Sequence, residues 1–171
     1  MDKLYAPWRH SYVTKTAHKK NRLKLKNDCV FCQKFSETDD KKNLIVKRFK
    51  YCAVAINAYP YNAGHLLILP ISHKGNLEDL DNKTRTEIME VINLSVKILN
   101  KTLKPQGFNI GLNLGEAGGG GIPSHLHFHI LPRWHGDTNY LPTIANSKVI
   151  CSDFYEIYDQ LKKEFNKLHT N

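Results

Sequence analysis

The period of the apolar positions changes along the chain, and each change predicts a different element. Leu44 to Val46 and Tyr51 to Asn57 are short apolar runs joined by the basic turn Lys47 to Lys50, and a third run, His65 to Pro70, follows the turn Pro60 to Gly64. Runs of this length between turn residues predict strands in a small antiparallel meander. From Asn76 to Leu103 the spacing becomes helical, with Ile88, Val91, Ile92, Ser95, Ile98 and Leu99 on one stripe and charged residues opposite. That stripe predicts one long amphipathic helix, ending before Pro105-Gln106-Gly107, and its apolar residues are core. Alternation returns in Phe108 to Leu114, expected to pair beside the following strand with Gly118 to Gly121 as the turn. A last helix is expected from Asp153 to about Leu168, with Ser152 as its N-cap. There is no internal repeat or low-complexity tract, so the pattern predicts one α+β domain.

The strand after the glycines carries chemistry. In Ser124 to Trp134, His125, His127 and His129 alternate with Leu126, Phe128 and Ile130, so period two puts the histidines on one face and the apolar residues on the other. Imidazole must find polar partners when buried, and packing alone gives little reason for a row of three. Gly118 to Gly121, just upstream, can bring successive N–H groups close to an anion, which points to phosphate. A metal held by two or three of these histidines is the competing reading. An ion on all three would need an open position and usually a carboxylate, for which Glu116 is the nearest upstream acid.

Composition narrows the setting. The 171 residues suit one well-packed domain. The net charge of +9 owes much to residues 1–26, where Arg9, Lys15, Lys19, Lys20, Arg22, Lys24 and Lys26 form a basic N-terminal arm. Such an arm is usually a solvated segment, and its thin aromatic content, Trp8 and Tyr12 at one end, does not favour nucleic acid as the partner. The chain start lacks a basic-then-apolar leader and no apolar run approaches a membrane span, so a cytoplasmic protein is expected. In that compartment Cys29 and Cys32 form a metal or redox pair rather than a disulfide, with no helix start expected after Cys32 to favour redox chemistry. Cys52 is expected in the core, and Cys151 as a small buried hydrophobe.

The stretch His125 to Leu131 fits the pattern His-apolar-His-apolar-His-apolar-apolar and resembles the histidine triad (HIT) superfamily of nucleotide hydrolases and transferases. Tyr5 to Arg9, Cys29 to Cys32, Asn57 to His65 and Pro132 to Asn139 are similar to its bacterial branch of diadenosine tetraphosphate phosphorylases, so the likeness covers most of the chain. The resemblance implies a HIT-like fold, a curved antiparallel sheet with one long helix and a C-terminal helix, in a single domain over 27–171, and a homodimer. It implies His127 as nucleophile, His129 beside the leaving group and His65 in support. It also implies one structural zinc on Cys29, Cys32, His73 and His125, with no organic cofactor. Asn57, Asn113 and Trp134 resemble nucleotide contacts, and Gly120 and Gly121 belong to the phosphate loop. Family members often carry glutamine and then serine or threonine where Gly121 and Ile122 stand here, so side-chain donors are missing from that loop. The implied activity is cleavage of adenine nucleoside-phosphate anhydrides, such as diadenosine tetraphosphate, or phosphoramidates through a nucleotidyl-histidine. Aprataxin-like deadenylation of nucleic-acid ends and a nucleotide-sensing module without turnover are the alternatives.

Overall fold

A computed structural model describes residues 29–145 and 153–167. The basic arm, Cys151 and Ser152 lie outside the described residues. In chain order the elements are α1 (Val30–Ser36), β1 (Ile45–Arg48), β2 (Cys52–Ile56), β3 (Leu66–Pro70), α2 (Asn82–Leu103), β4 (Gly107–Leu112), β5 (Phe128–Arg133), α3 (Leu141–Ala145) and α4 (Phe154–Asn166). The strands form one antiparallel sheet in the order β1-β2-β3-β5-β4. The α+β architecture and the meander expected from the apolar runs are therefore present. Helix α2 carries the chain across the sheet to the edge strand β4, and β5 returns between β4 and β3.

The pleat divides the molecule into a packing face and a chemical face. Val54, Ile56, Leu66, Ile68, Leu126 and Ile130 join Ile88, Val91, Ile92, Ile98 and Leu99 of α2, with Leu161 and Phe165 of α4, in the main core. All six residues of the expected helical stripe are buried, and Cys52 sits in the same core. On the opposite face Ala55, Leu67 and Leu69 make a small cluster against Phe31 and Phe35 of α1. Arg48 fastens α1 there, donating to the carbonyls of Phe35 at 2.8 Å and Glu37 at 2.9 Å while pairing with Asp40 at 2.8 Å. One arginine thus satisfies carbonyls that the end of a helix leaves without partners.

Several boundaries differ from expectation, each for a visible reason. Of the three histidines only His129 lies within β5; His125 sits at a bend, where its N–H donates to the Ile122 carbonyl at 3.2 Å, and His127 directly precedes the strand. The β3–β5 ladder begins at Ile68↔Phe128, and the Leu126 N–H donates instead to the Lys74 carbonyl at 2.7 Å. Alternation survives without the ladder, since Leu126 is in the main core. Helix α2 starts at Asn82 rather than Asn76, because the Asp81 side chain accepts the Thr84 N–H at 2.7 Å and fixes the cap there. A helix does begin within the Cys-x-x-Cys pair, with Cys29 as N-cap of α1. Lys47 and Arg48 belong to β1 rather than to a turn, and β4 stops at Leu112. The last helix is capped by Asp153, whose carboxylate accepts the Glu156 N–H at 2.8 Å.

Candidate active site

The histidines occupy the chemical face, and backbone groups of fixed polarity determine which nitrogen of each ring carries the proton. The His125 carbonyl can only accept, so the 2.8 Å contact with His127 Nδ1 places a proton there and leaves Nε2 with its lone pair. The Pro70 carbonyl lies 2.9 Å from His125 Nε2, so His125 carries its proton on Nε2 and turns Nδ1 the other way. The Tyr61 N–H donates to His65 Nδ1 at 3.2 Å, with the Asn57 side-chain nitrogen 3.3 Å away. His65 therefore holds its proton on Nε2 and donates it to His129 Nδ1 at 2.9 Å. That leaves the proton of neutral His129 on Nε2, a buried atom with no partner among the described residues.

Burial keeps these rings neutral. Burial first, then the neighbouring His129 and His127, lower the His65 pKa to about 3, and burial with His127 lowers His129 to about 4. His127 is also pushed down by burial, against the opposing hydrogen bond to His125. A neutral imidazole with Nε2 free is the form that can attack phosphorus. Its neighbour in the same face is His129, with ring centroids 5.1 Å apart. His65 and His129 meet diagonally across the β3–β5 pair, since His129 is opposite Leu67.

At the other end of the row Cys29, Cys32, His73 and His125 bring one ligand atom each to within 4.8 Å of one another. His125 Nδ1 lies 3.3 Å from Cys29 Sγ and 3.5 Å from Cys32 Sγ, and His73 Nδ1 lies 3.2 Å from Cys32 Sγ. A tetrahedral ion with ordinary Zn–S and Zn–N bonds has edges of about 3.3 to 3.8 Å, so these separations suit ligands sharing an ion. The donor chemistry fits as well. The lone pair of His125 faces the sulfurs, and the Pro70 carbonyl fixes its tautomer from behind, as outer partners of metal ligands do.

The expected nucleotide contacts are distributed more widely. Asn57, at the end of β2, accepts the Tyr59 N–H at 3.0 Å and stands beside His65. Asn113 follows the end of β4. Gly120 is buried, and its N–H donates to the Gly115 carbonyl at 3.2 Å, while the Gly119 N–H goes to Glu116 at 3.0 Å. Those two donors are consumed inside the turn, contrary to the expectation of a free backbone cradle. Gly121 precedes the histidines in irregular backbone. Trp134 lies just past β5, where its N–H donates to Asp137 at 3.2 Å.

Three features escaped sequence reasoning. Tyr61 lies against His65 and His129, with ring centroids 4.9 and 6.2 Å away. Phe31, between the two cysteines, touches both His125 and His127 at centroid distances of 5.5 and 5.4 Å. Asn62 and Asp137 join the two loops flanking the His65–His129 pair. Aromatic residues beside turn prolines or cysteines look like packing in a sequence, and no spacing signal links positions 62 and 137.

Comparison with known proteins agrees with this geometry. The family model described as the HIT domain matches residues 38–136, over half of the chain. The chain belongs to the histidine triad family. The matched span holds the histidine row and His73, while the cysteine pair precedes it. Among HIT relatives, the AP-4-A phosphorylase of Mycobacterium tuberculosis (strain ATCC 25618 / H37Rv) is 34% identical over 150 residues, covering 88% of this chain and 77% of that protein. Adenylylsulfatase HINT3 of Arabidopsis thaliana is 30% identical over 113 residues, 66% of this chain and 56% of its own. The crystal structure of a Zn-bound histidine triad family protein from Mycobacterium smegmatis superposes with a TM-score of 0.65 at 23% identity, covering 83% of this chain and 96% of that one. That likeness concerns the fold.

Proposed function

We propose that this HIT protein cleaves adenine nucleoside-phosphate anhydrides, dinucleoside polyphosphates such as diadenosine tetraphosphate among them, or phosphoramidates, through a covalent nucleotidyl-histidine. The observation that carries the reading is the pairing of a lone pair on His127 Nε2 with an unspent N–H on His129 Nε2 beside it. His127 Nε2 forms a bond to the α-phosphorus and the bond from phosphorus to the leaving oxygen breaks. In a phosphoramidate the P–N bond breaks instead, and the amine leaves with the His129 Nε2 proton, which the attacking water or phosphate returns. The His129 N–H bonds the leaving oxygen as its charge develops, which acts by fixed hydrogen bonding rather than by a charged acid. His65 orients His129. Water or phosphate then attacks phosphorus, the P–N bond breaks, and His127 is restored. A relative named AP-4-A phosphorylase, aligned over most of both chains, supports this substrate class.

Cys29, Cys32, His73 and His125 are the ligands of one structural zinc, which would tie α1 to the segment bearing His127. Asn57, Asn113, Gly121 and Trp134 are the proposed nucleotide contacts. Gly120 contributes shape, because a Cβ there would meet the Gly115 carbonyl at 3.0 Å. Residues 27–171 act as one domain, and a homodimer forms through the long helix α2 and the adjacent edge strand β4, where Ile110 is about half exposed at 48%. A cytoplasmic setting suits the free thiols. No described helix is long and apolar enough to cross a membrane.

Brief incubation with diadenosine tetraphosphate followed by intact-mass spectrometry tests the reading. The native chain is expected to gain one adenylyl group transiently, and His127→Ala and His127→Gly to gain none. Equal product formation in all three, with no adduct, would overturn it.

A further inference from the structure

Between the two loops flanking His65 and His129 lies a clamp that touches neither the metal cluster nor His127. Asn62 is buried, and its amide nitrogen spends both hydrogens, donating to the Pro132 carbonyl at 3.0 Å and to Asp137 Oδ2 at 2.7 Å. Asp137 is gripped in turn by Arg133, Nε to Oδ2 at 2.7 Å and a terminal nitrogen to Oδ1 at 2.9 Å. It also accepts the Trp134 N–H at 3.2 Å and the Thr138 hydroxyl at 3.2 Å.

The clamp sits where backbone pairing stops. The β3–β5 ladder ends at Leu66↔Ile130, and Pro132, two residues further, has no N–H to extend it. The Asn62 amide takes over there, binding the β5 carbonyl with a side chain. Its own loop closes on His65 from two directions: the Asn62 carbonyl accepts the His65 N–H at 3.3 Å, and the preceding Tyr61 N–H reaches His65 Nδ1. The Tyr61 N–H fixes the His65 tautomer, so whatever holds that loop holds the tautomer too.

We infer that Asn62, clamped between Asp137 and the Pro132 carbonyl, is a positioning residue for the leaving-group half of the reaction. It holds the Tyr61–His65 loop so that His65 donates from Nε2 to His129 and His129 presents its own Nε2 proton to the departing oxygen. This rests on the nucleotidyl-histidine reading. It adds to that reading a residue that touches no substrate, and a rate effect confined to substrates whose leaving group needs the hydrogen bond.

The test compares two aryl esters of AMP with Asn62→Ala and Asp137→Asn, each first checked for a cooperative thermal transition. p-Nitrophenolate departs with little help, whereas unsubstituted phenolate needs a donor. Loss of the clamp is expected to lower kcat/KM for the phenyl ester by about 10- to 100-fold, and by at least tenfold less for the p-nitrophenyl ester. Ring 15N spectra give a readout independent of turnover: His65 is expected as the Nε2–H tautomer in the native chain and as a mixture in Asn62→Ala. Equal losses on both esters, or an unchanged His65 spectrum, would overturn the inference and leave the reaction intact. Turnover of neither ester by the native chain would overturn the reaction reading, and the inference with it.

Discussion

The two ends of the histidine row are built on different principles. At the cysteine end, Cys29, Cys32, His73 and His125 come from α1 and its N-cap, from the turn after β3 and from the approach to β5, and their ligand atoms crowd within 4.8 Å of one another. Such an arrangement of soft donors is stable when an ion holds it. At the other end, His65 and His129 are placed by the sheet, by the Tyr61 N–H and by the Asn62–Asp137 clamp, with every donor matched to an acceptor except the one left for chemistry. His127 stands between them, its tautomer set by the carbonyl of His125. One end has the donor set for an ion from outside; the other is held by the chain's own hydrogen bonds.

The largest effect expected from breaking this contrast is at the metal end. Removing the ion with a chelator, or changing Cys32→Ser, should free α1 from His125 and lower the thermal midpoint by about 10 °C while the main core still unfolds cooperatively. Native mass spectrometry should show one ion per chain before treatment and none after. An unchanged midpoint after the ion has left would mean that Arg48 and the packing of Phe31 and Phe35 hold α1 without it.

Acid probes the other end. His65 and His129 are neutral in the fold and titrate near 6.5 when unfolded, so the unfolded chain binds more protons over the interval between 6.5 and about 4. Stability is therefore fully present above pH 6.5 and is lost as pH falls through about 4 for His129 and about 3 for His65. Urea unfolding of the chelated protein, so that ligand release does not contribute, should show a loss of about 2 kcal/mol from each of the two rings between pH 7 and 4.5. His129→Asn should flatten part of that slope, and an unaltered slope would count against a buried neutral pair.

The smallest effect is expected away from both ends. Lys41 and Asp159 form an ion pair at 2.9 Å with both side chains more than half exposed, at 56% and 58%. Lys41→Ala should change stability by less than about 0.5 kcal/mol and leave turnover alone. A larger change would show that the contact between the β1 approach and α4 matters to the site.

Much of the arrangement was legible because it is periodic. The alternation in Ser124 to Trp134 put the histidines on one face, the helical stripe from Ile88 to Leu99 found the core, and the Cys-x-x-Cys spacing pointed to a metal. The set completed by His73 came from resemblance, and the four residues do meet. Illegible features depend on single hydrogen bonds across distant loops. No pattern marks position 81 as the start of α2 in preference to 76, because the decision lies in one Asp81–Thr84 contact. Nor does any pattern join Asn62 to Asp137 or seat Tyr61 on His129. In the glycine loop the Gly119 and Gly120 N–H groups are spent inside the turn, since glycine spacing tells which backbone can bend but not where its N–H groups go.

Gly64 lies between the Asn62 loop and His65 with a φ of +69°. A Cβ there would collide with the Leu103 side chain and come within 3.3 Å of Leu99 Cδ2 and 3.5 Å of Pro132 Cγ. One added methyl would press on the end of the long helix and strain the backbone of the loop that sets the His65 tautomer. For anyone engineering this protein, that corner offers no exchange of stability for activity: a substitution at Gly64 spends both together.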